Sequence, residues 1–91
     1  MKHNVYFDGA VQSLAFAHRG GQATIGVMEP GVYEFTTGAP ERMQIVAGDA
    51  EYKRGDSDWI AAPAGAEFSV PGNASFQIRM NTQVAYVCWF G

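Results

Sequence analysis

Glu41 is the residue of this sequence whose chemistry and position together indicate a reactive site. It lies within residues 31–48, GVYEFTTGAPERMQIVAG, a segment with a central turn and no histidine. Side chains two apart on a strand share a face, so Glu41, Met43 and Ile45 are predicted to point together into the core. A carboxylate there must be hydrogen-bonded within the protein or serve to bind a ligand, because burying an unpaired charge is unfavourable. We therefore expect Glu41 to accept hydroxyl groups of a ligand or, with its pKa raised by burial, to donate a proton.

The residues that ordinarily bind a transition metal are scarce. Such a metal needs several imidazole, thiolate or carboxylate ligands converging on one point. The two histidines, His3 and His18, both lie in the N-terminal segment, and Cys88 is the only cysteine. We interpret Cys88 as a small buried hydrophobic residue, since no histidine is expected near its strand. The sequence thus predicts a site without a metal.

Short β-strands are the elements that must position these residues. The 11 glycines and four prolines separate runs rich in Val, Ile, Tyr, Phe and Thr, which is typical of strands. No stretch of about ten residues keeps a helical period. The predicted strands are Val11–His18, Ala23–Met28, Val32–Thr37, Met43–Ala47, Ala50–Arg54, Asp58–Ala61, Glu67–Val70, Ser75–Met80 and Gln83–Phe90.

Alternation along these runs predicts which side chains face inward. Arg79 alternates with apolar residues and is expected to point outward, whereas Val87 and Trp89 form a second apolar face on the last strand. A strand that is apolar on both faces is covered on both, by a second sheet or a partner chain. The other predicted inner faces are Tyr33, Phe35 and Thr37; Phe76, Ile78 and Met80; and Tyr86, Cys88 and Phe90.

Length and composition indicate one small globular domain, residues 1–91. With 47% hydrophobic and 16% charged residues, the chain is too apolar to be disordered. At this length folding buries only about 60–65% of the surface of the unfolded chain, so we expect some apolar surface to pack against a partner subunit. Strands without a helix must close or stack, as in a small barrel or jelly roll.

The net charge of the chain and its N-terminal sequence argue against nucleic-acid and membrane partners. A net charge of −3, with the basic residues scattered, argues against a nucleic-acid partner, which requires a clustered cationic face. The N-terminus has no apolar signal region, and no apolar run of about 18 residues predicts a membrane span. With one cysteine no intrachain disulfide is possible, and the sequence fits a cytoplasmic protein.

Two short motifs resemble the half-motifs of the cupin superfamily. They are Glu41-x6-Gly48 and Phe68-x-Val70-Pro71-Gly72. The resemblance implies an all-β, single-domain cupin, a double-stranded jelly-roll β-barrel. Many cupins bind a metal through two histidines and a glutamate of the first motif and a histidine of the second. Here only the glutamate is kept, which implies a metal-independent cupin; the other ligand positions fall at Phe35, Thr36 or Thr37 and at Ser75 or Phe76.

A longer set of motifs resembles the small bacterial pyrimidine/purine nucleoside phosphorylases over almost the whole chain. This resemblance implies a homodimer without cofactor or metal. It also implies cleavage of purine and pyrimidine ribonucleosides by phosphate, giving ribose 1-phosphate and the free base with broad base tolerance. The motifs are Asn4-x-Tyr6-Phe7-x-Gly9-x-Val11-x-Ser13, Ala23-Thr24-Ile25-Gly26-Val27-Met28, Gly31-x-Tyr33-x-Phe35, Glu41-x-Met43, Phe68-x-Val70-Pro71 and Tyr86-Val87-Cys88.

Phosphorolysis passes through a ribosyl cation-like state and sets three tasks: placing phosphate, holding the ribose hydroxyls and stabilising the departing base. We predict Glu41 as the main catalytic residue, with Tyr33 and Thr37 completing its hydrogen-bond network. The turn at Thr36–Pro40 offers hydroxyls and backbone N–H groups that can bind phosphate. We therefore predict Thr36 and Gly38 as phosphate-binding residues, together with Arg42 beside the turn. A slot for one-ring and two-ring bases favours soft apolar walls, here Met43, Phe68, Phe76, Met80 and Tyr86.

Two other functions remain open on the sequence. The same inner wall can belong to a cupin that binds a sugar or nucleoside without turning it over, because no strand places a cation inward. A cupin sugar isomerase or epimerase is the third alternative, although it ordinarily uses a histidine–carboxylate pair and only His3 and His18 are present.

Overall fold

The computed structural model describes residues 1–90 as ten β-strands joined by short turns. Gly91, the last residue of the predicted domain, lies outside the described residues. Residues 1–90 contain no helix long and apolar enough to cross a bilayer. The strands are β1 (His3–Tyr6), β2 (Val11–His18), β3 (Gly21–Met28), β4 (Gly31–Thr36), β5 (Glu41–Ala47), β6 (Asp49–Lys53), β7 (Ile60–Pro63), β8 (Glu67–Val70), β9 (Ser75–Met80) and β10 (Val84–Phe90).

The strands form two antiparallel sheets that face each other. The larger sheet has six strands in the order β1-β2-β3-β10-β5-β8, and the smaller has four in the order β4-β9-β6-β7. The chain moves repeatedly from one sheet to the other, so strands adjacent in sequence often lie in different sheets. The all-β, jelly-roll architecture expected from the sequence is confirmed.

The nine predicted strands are all present, and the differences occur at the edges. A tenth strand, β1, was not predicted, because its short sequence shows no alternation of buried and exposed residues. It is held by pairing with β2, from His3 opposite Leu14 to Tyr6 opposite Val11. The strand predicted at Asp58–Ala61 begins later and ends at Pro63. Proline is tolerated there because β7 is an edge strand, where one N–H is not needed for the ladder.

The core lies between the two sheets and consists of the inward-facing residues that alternate along the strands of each sheet. The side chains of Ile45 and Ile78 are fully buried, and Arg79 points outward as predicted. Phe90 is 39% exposed, since it lies at the end of β10. The core therefore confirms the predicted inner faces except at the end of the last strand. Its largest fully buried side chains are Phe76, Met28, Ile45, Ile78, Val11 and Val84.

A left-handed turn ties β1 to the smaller sheet. Phe7, Asp8 and Gly9 all have positive φ, a conformation that L-residues adopt at an energetic cost. The Phe7 ring compensates by packing against Tyr33, at 5.0 Å between ring centroids, and edge-on against Phe35 at 5.5 Å. The first strand is thus joined to one sheet by hydrogen bonds and to the other by aromatic contacts.

The chain passes from the larger to the smaller sheet at Gly48, between β5 and β6. Gly48 has φ of +86°, and a Cβ there would lie 2.6 Å from the carbonyl oxygen of Gln83. We expect Gly48→Ala to lower the free energy of unfolding by about 2–4 kcal/mol, measured by urea denaturation. The matched control is Gly38→Ala, where an added Cβ meets no atom within 4 Å. Equal stability of the two variants would contradict this role of Gly48.

Candidate active site

A cavity of about 150 Å³ opens between the two sheets. Strands of both sheets contribute to it, and Tyr6 and Phe90, which are 45% and 39% exposed, lie at its mouth. The polar groups inside the wall are hydroxyls, one carboxylate and one thiol. The lining residues are Tyr6, Ser13, Thr24, Phe35, Thr36, Glu41, Met43, Phe76, Tyr86, Cys88 and Phe90.

The pairing of β5 with β10 places the reactive groups of the cavity. In this pairing Glu41 lies opposite Phe90, and Met43 lies opposite Cys88. Inner-face residues of paired strands also contact their diagonal neighbours, which brings Cys88 to Glu41. The Cys88 thiol donates a hydrogen bond to Oε1 of Glu41, with 3.3 Å between sulfur and oxygen.

Burial controls the ionisation of this pair. Burial raises the pKa of Glu41, and the hydrogen bond from Cys88 opposes that rise. Burial also raises the pKa of the Cys88 thiol, and the neighbouring Glu41 carboxylate raises it further. The pKa of Tyr86 is raised to about 12, mainly by burial. At neutral pH the thiol and the phenol therefore keep their protons, and Glu41 is the group in this wall that can change charge.

Five of the eleven residues predicted for the site meet at this cavity. Glu41, Thr36 and Tyr86 line it together with Met43 and Phe76. They come from four strands, two in each sheet. Alternation accounts for Glu41 and Met43, whereas Thr36 reaches the cavity from the exposed end of β4, out of phase with the inner face. These five are the predicted candidates that share this cavity.

The structure does not bring Tyr33 and Thr37 to Glu41. The Tyr33 hydroxyl donates to the carbonyl of Glu29 at 2.7 Å, at the other end of β4. The buried Thr37 hydroxyl donates to the carbonyl of Pro71 at 2.6 Å and accepts from the N–H of Ala74 at 3.1 Å. Thr37 therefore fastens the turn after β4 to the turn before β9. The predicted hydrogen-bond network of Glu41 consisted of Tyr33 and Thr37; the partner of its side chain in the structure is Cys88.

The four remaining candidates lie away from the cavity wall, and of these Met80 is buried in the core. Phe68 stacks on Tyr52, with ring centroids 3.8 Å apart, and belongs to the core. The Arg42 guanidinium lies over the Trp89 ring at 4.2 Å and forms an ion pair with Glu67 at 3.3 Å, on the outer face of β5. Gly38 accepts a hydrogen bond from the N–H of Asn73 in the turn beyond Thr36.

Sequence reasoning missed several residues of the wall. Tyr6 belongs to the strand that was not predicted, and Ser13 and Thr24 lie on strands whose inner faces were not assigned. Phe35 and Cys88 were placed on inner faces but given no role. For these two the signal was present, because they share a face with other predicted site residues.

The profile of one protein family matches the chain over residues 1–90: pyrimidine/purine nucleoside phosphorylase. The chain belongs to this family. A relative from Vibrio cholerae that carries the family's name is 50% identical over 91 residues, which covers 99% of this chain and 96% of the relative.

Solved structures agree with the phosphorylase family fold. A crystal structure of a protein of unknown function from Vibrio parahaemolyticus is similar with a TM-score of 0.93 and 45% identity, covering 97% of this chain and 95% of that one. A cupin superfamily protein from Desulfitobacterium hafniense is similar with a TM-score of 0.74 at 15% identity, covering 99% and 82%. The second likeness concerns the fold alone and, with the two-sheet architecture, confirms the expected cupin jelly roll.

The wall of this cavity does not fit the metal site that many cupins carry. It supplies one carboxylate and one protonated thiol, and no imidazole. His3 instead bonds the side chain of Gln12 at 3.0 Å, and His18 lies near the Trp89 ring. Within residues 1–90 no three metal-ligating side chains come together. The lining side chains therefore do not form a ligand set for a metal.

The hydrogen bonds of the Thr37 hydroxyl predict that replacing Thr37 lowers stability more than replacing the neighbouring Thr36. Thr37→Val leaves the Pro71 carbonyl and the Ala74 N–H unpaired, so we expect a loss of about 1–3 kcal/mol in the free energy of unfolding. Thr36→Val, at an exposed position, is expected to change stability by less than about 0.5 kcal/mol. Guanidinium denaturation of both variants measures this, and a Thr37→Val protein as stable as Thr36→Val would refute it.

Proposed function

We propose that the protein cleaves purine and pyrimidine ribonucleosides by phosphorolysis, without a metal, giving the free base and ribose 1-phosphate. Membership in the phosphorylase family supports the reaction class. The observation that carries the proposal is the position of Glu41, a partly buried carboxylate in a cavity whose other lining groups are neutral. Such a carboxylate is suited to stabilise a ribosyl cation and to accept the ribose hydroxyls.

In the proposed reaction an oxygen of hydrogen phosphate forms a bond to the anomeric carbon as the bond from that carbon to the base nitrogen breaks. The bonding electrons leave with the base, and the proton of hydrogen phosphate ends on the base. Positive charge develops on the ribose ring in between. Glu41 as a carboxylate lowers the energy of that state because the field of an ion is strong where little water screens it.

The volume of the cavity supports the proposal that bases of different size are accepted. Its volume of about 150 Å³ is below the roughly 300–1,000 Å³ of pockets that enclose drug-sized ligands. We propose that the ribose enters against Met43, Phe76 and Tyr86, while the base stays at the mouth beside Tyr6 and Phe90. Aromatic stacking at an open mouth accepts one ring or two, because nothing closes around the far edge of the base.

Phosphate is proposed to bind beside the turn that follows β4. The Thr36 hydroxyl lines the cavity, and the backbone at Gly38 lies in the exposed turn after it. Arg42 can join them only by leaving Glu67. That ion pair is about half exposed on both sides, and such pairs contribute only about 0–1 kcal/mol, so an incoming phosphate can compete for the guanidinium.

The test is an assay of EDTA-treated protein with uridine and adenosine, with and without phosphate, following free base and ribose 1-phosphate. We expect phosphate-dependent release of both bases. Glu41→Gln is expected to lower kcat/KM at least about tenfold, or about 1.4 kcal/mol of transition-state stabilisation. Glu34→Gln, an exposed glutamate of β4, is the matched control and should behave as the wild type.

Two results would contradict the proposal. Unchanged kinetics in Glu41→Gln would remove Glu41 from the site. Nucleoside binding without base release, in a protein shown to be folded, would favour the alternative of a small-molecule binding cupin.

The outer face of the larger sheet supports the proposal of a homodimer. Leu14, Ile25 and Val27 are 40%, 47% and 44% exposed there. Leu14 and Val87 lie opposite Ile25 on the two neighbouring strands, so the apolar side chains form one continuous patch. Contiguous apolar patches mark interfaces, and a two-fold dimer pairs the same patch on both subunits.

Sedimentation tests this association. The wild type is expected to sediment as a dimer, and Ile25→Glu as a single 9.8 kDa chain, since a charge in the centre of the patch opposes its burial. Val32→Glu is the control, because Val32 is 63% exposed on the smaller sheet. A wild-type protein that sediments as one chain would overturn the dimer.

A further inference from the structure

Within residues 1–90, Cys88 is the one residue that forms a hydrogen bond with the side chain of Glu41. Its thiol lies inside the cavity wall on β10 and donates to Oε1 of the carboxylate. Oε2 makes no hydrogen bond in the described part of the chain, and it is not among the fully buried polar atoms. One carboxylate oxygen is therefore held by the protein, and the other is open to a ligand.

We propose that Cys88 is a positioning residue for the phosphorylase reaction, whose thiol holds Oε1 of Glu41 so that Oε2 is presented to the ribose. The inference rests on the proposed function of Glu41. A thiol suits this position because it is a weak donor, so it orients the carboxylate without neutralising it as a lysine or arginine would. The full negative charge remains available to the ribosyl cation.

Only neutral groups share the 150 Å³ cavity with the carboxylate. From β10 the titratable groups are Cys88 and Tyr86, and from β1 the group is Tyr6, all lining the same cavity. The residues contributed by the smaller sheet, Phe35, Thr36 and Phe76, carry no charge. Arg42 of β5 lines a separate surface pocket with Glu41, but its guanidinium lies over the Trp89 ring and pairs with Glu67 of β8. Removal of the thiol therefore leaves no charged neighbour to replace its effect on Glu41.

The decisive experiment measures the pKa of Glu41 in the protein without substrate, by carbon NMR of glutamate-labelled samples, with Glu41→Gln used to assign the signal. Cys88→Ala removes the donor, which favoured the charged form, so the Glu41 pKa is expected to rise by about 0.5–1 unit. Cys88→Ser restores a donor and is expected to bring the pKa back to the wild-type value or below. Val84→Ala, a buried truncation on the same strand outside the cavity, should lower stability and leave the pKa unchanged.

Kinetic measurements then distinguish a positioning role of Cys88 from a role in core packing alone. If ionised Glu41 is required, the acid limb of kcat/KM against pH must move upward in Cys88→Ala and return in Cys88→Ser. We expect kcat at the pH optimum to fall about three- to tenfold in the alanine variant. Val84→Ala should keep the wild-type pH profile.

The outcomes distinguish this inference from the proposed function. An unchanged Glu41 pKa in Cys88→Ala, while Glu41→Gln is still impaired, would overturn the role of Cys88 and leave the phosphorylase proposal standing. A serine variant that behaves like alanine would overturn it as well, because the donor would then be irrelevant. A shifted pKa together with full activity of Glu41→Gln would instead remove Glu41 from the reaction and Cys88 with it.

Discussion

The rest of the structure depends on a carboxylate placed between two apolar sheets. Glu41 begins β5 on the inner face, where burial raises its pKa and the surrounding groups are uncharged. An ionised group in such a place is tolerated only with a hydrogen-bond donor and some access to water. The register of β5 with β10 supplies the donor, and the opening beside Tyr6 and Phe90 supplies the water. The pairing of β5 with β10, the opening of the cavity and the charge state of Glu41 therefore depend on one another.

A short chain obtains its site by using both faces of the same strands. On β10 the inner residues Tyr86 and Cys88 line the cavity, while the outer residues Val87 and Trp89 lie on the exposed side of the larger sheet. The period of two makes this possible, because alternate residues can serve unrelated purposes. A one-residue slip of β10 would exchange the two faces and destroy the site and the outer patch together.

The sequence predicted the fold well because alternation and turn residues are local signals. Strand content, inner faces and the burial of Met43, Ile78 and Tyr86 follow from them. The site was predicted only in part, since a strand pattern states which face a residue occupies and not which end of the sandwich. Tyr33 and Phe35 share a face of β4, yet only Phe35 reaches the cavity. The thiol as the partner of Glu41 required the register of β5 with β10, which depends on contacts distant in sequence.

The edge position of β1 places one side of the cavity mouth on a strand that is held more weakly than the core. This strand pairs with β2 alone and buries little of its own surface, and its last residue, Tyr6, stands at the mouth. Local opening of an edge element requires less free energy than global unfolding. The left-handed turn that follows, with Phe7 packed on the smaller sheet, anchors the end of the strand. The free energy that holds Tyr6 over the cavity therefore comes from one strand pair and one aromatic cluster, and is separate from the packing around Glu41 and Cys88.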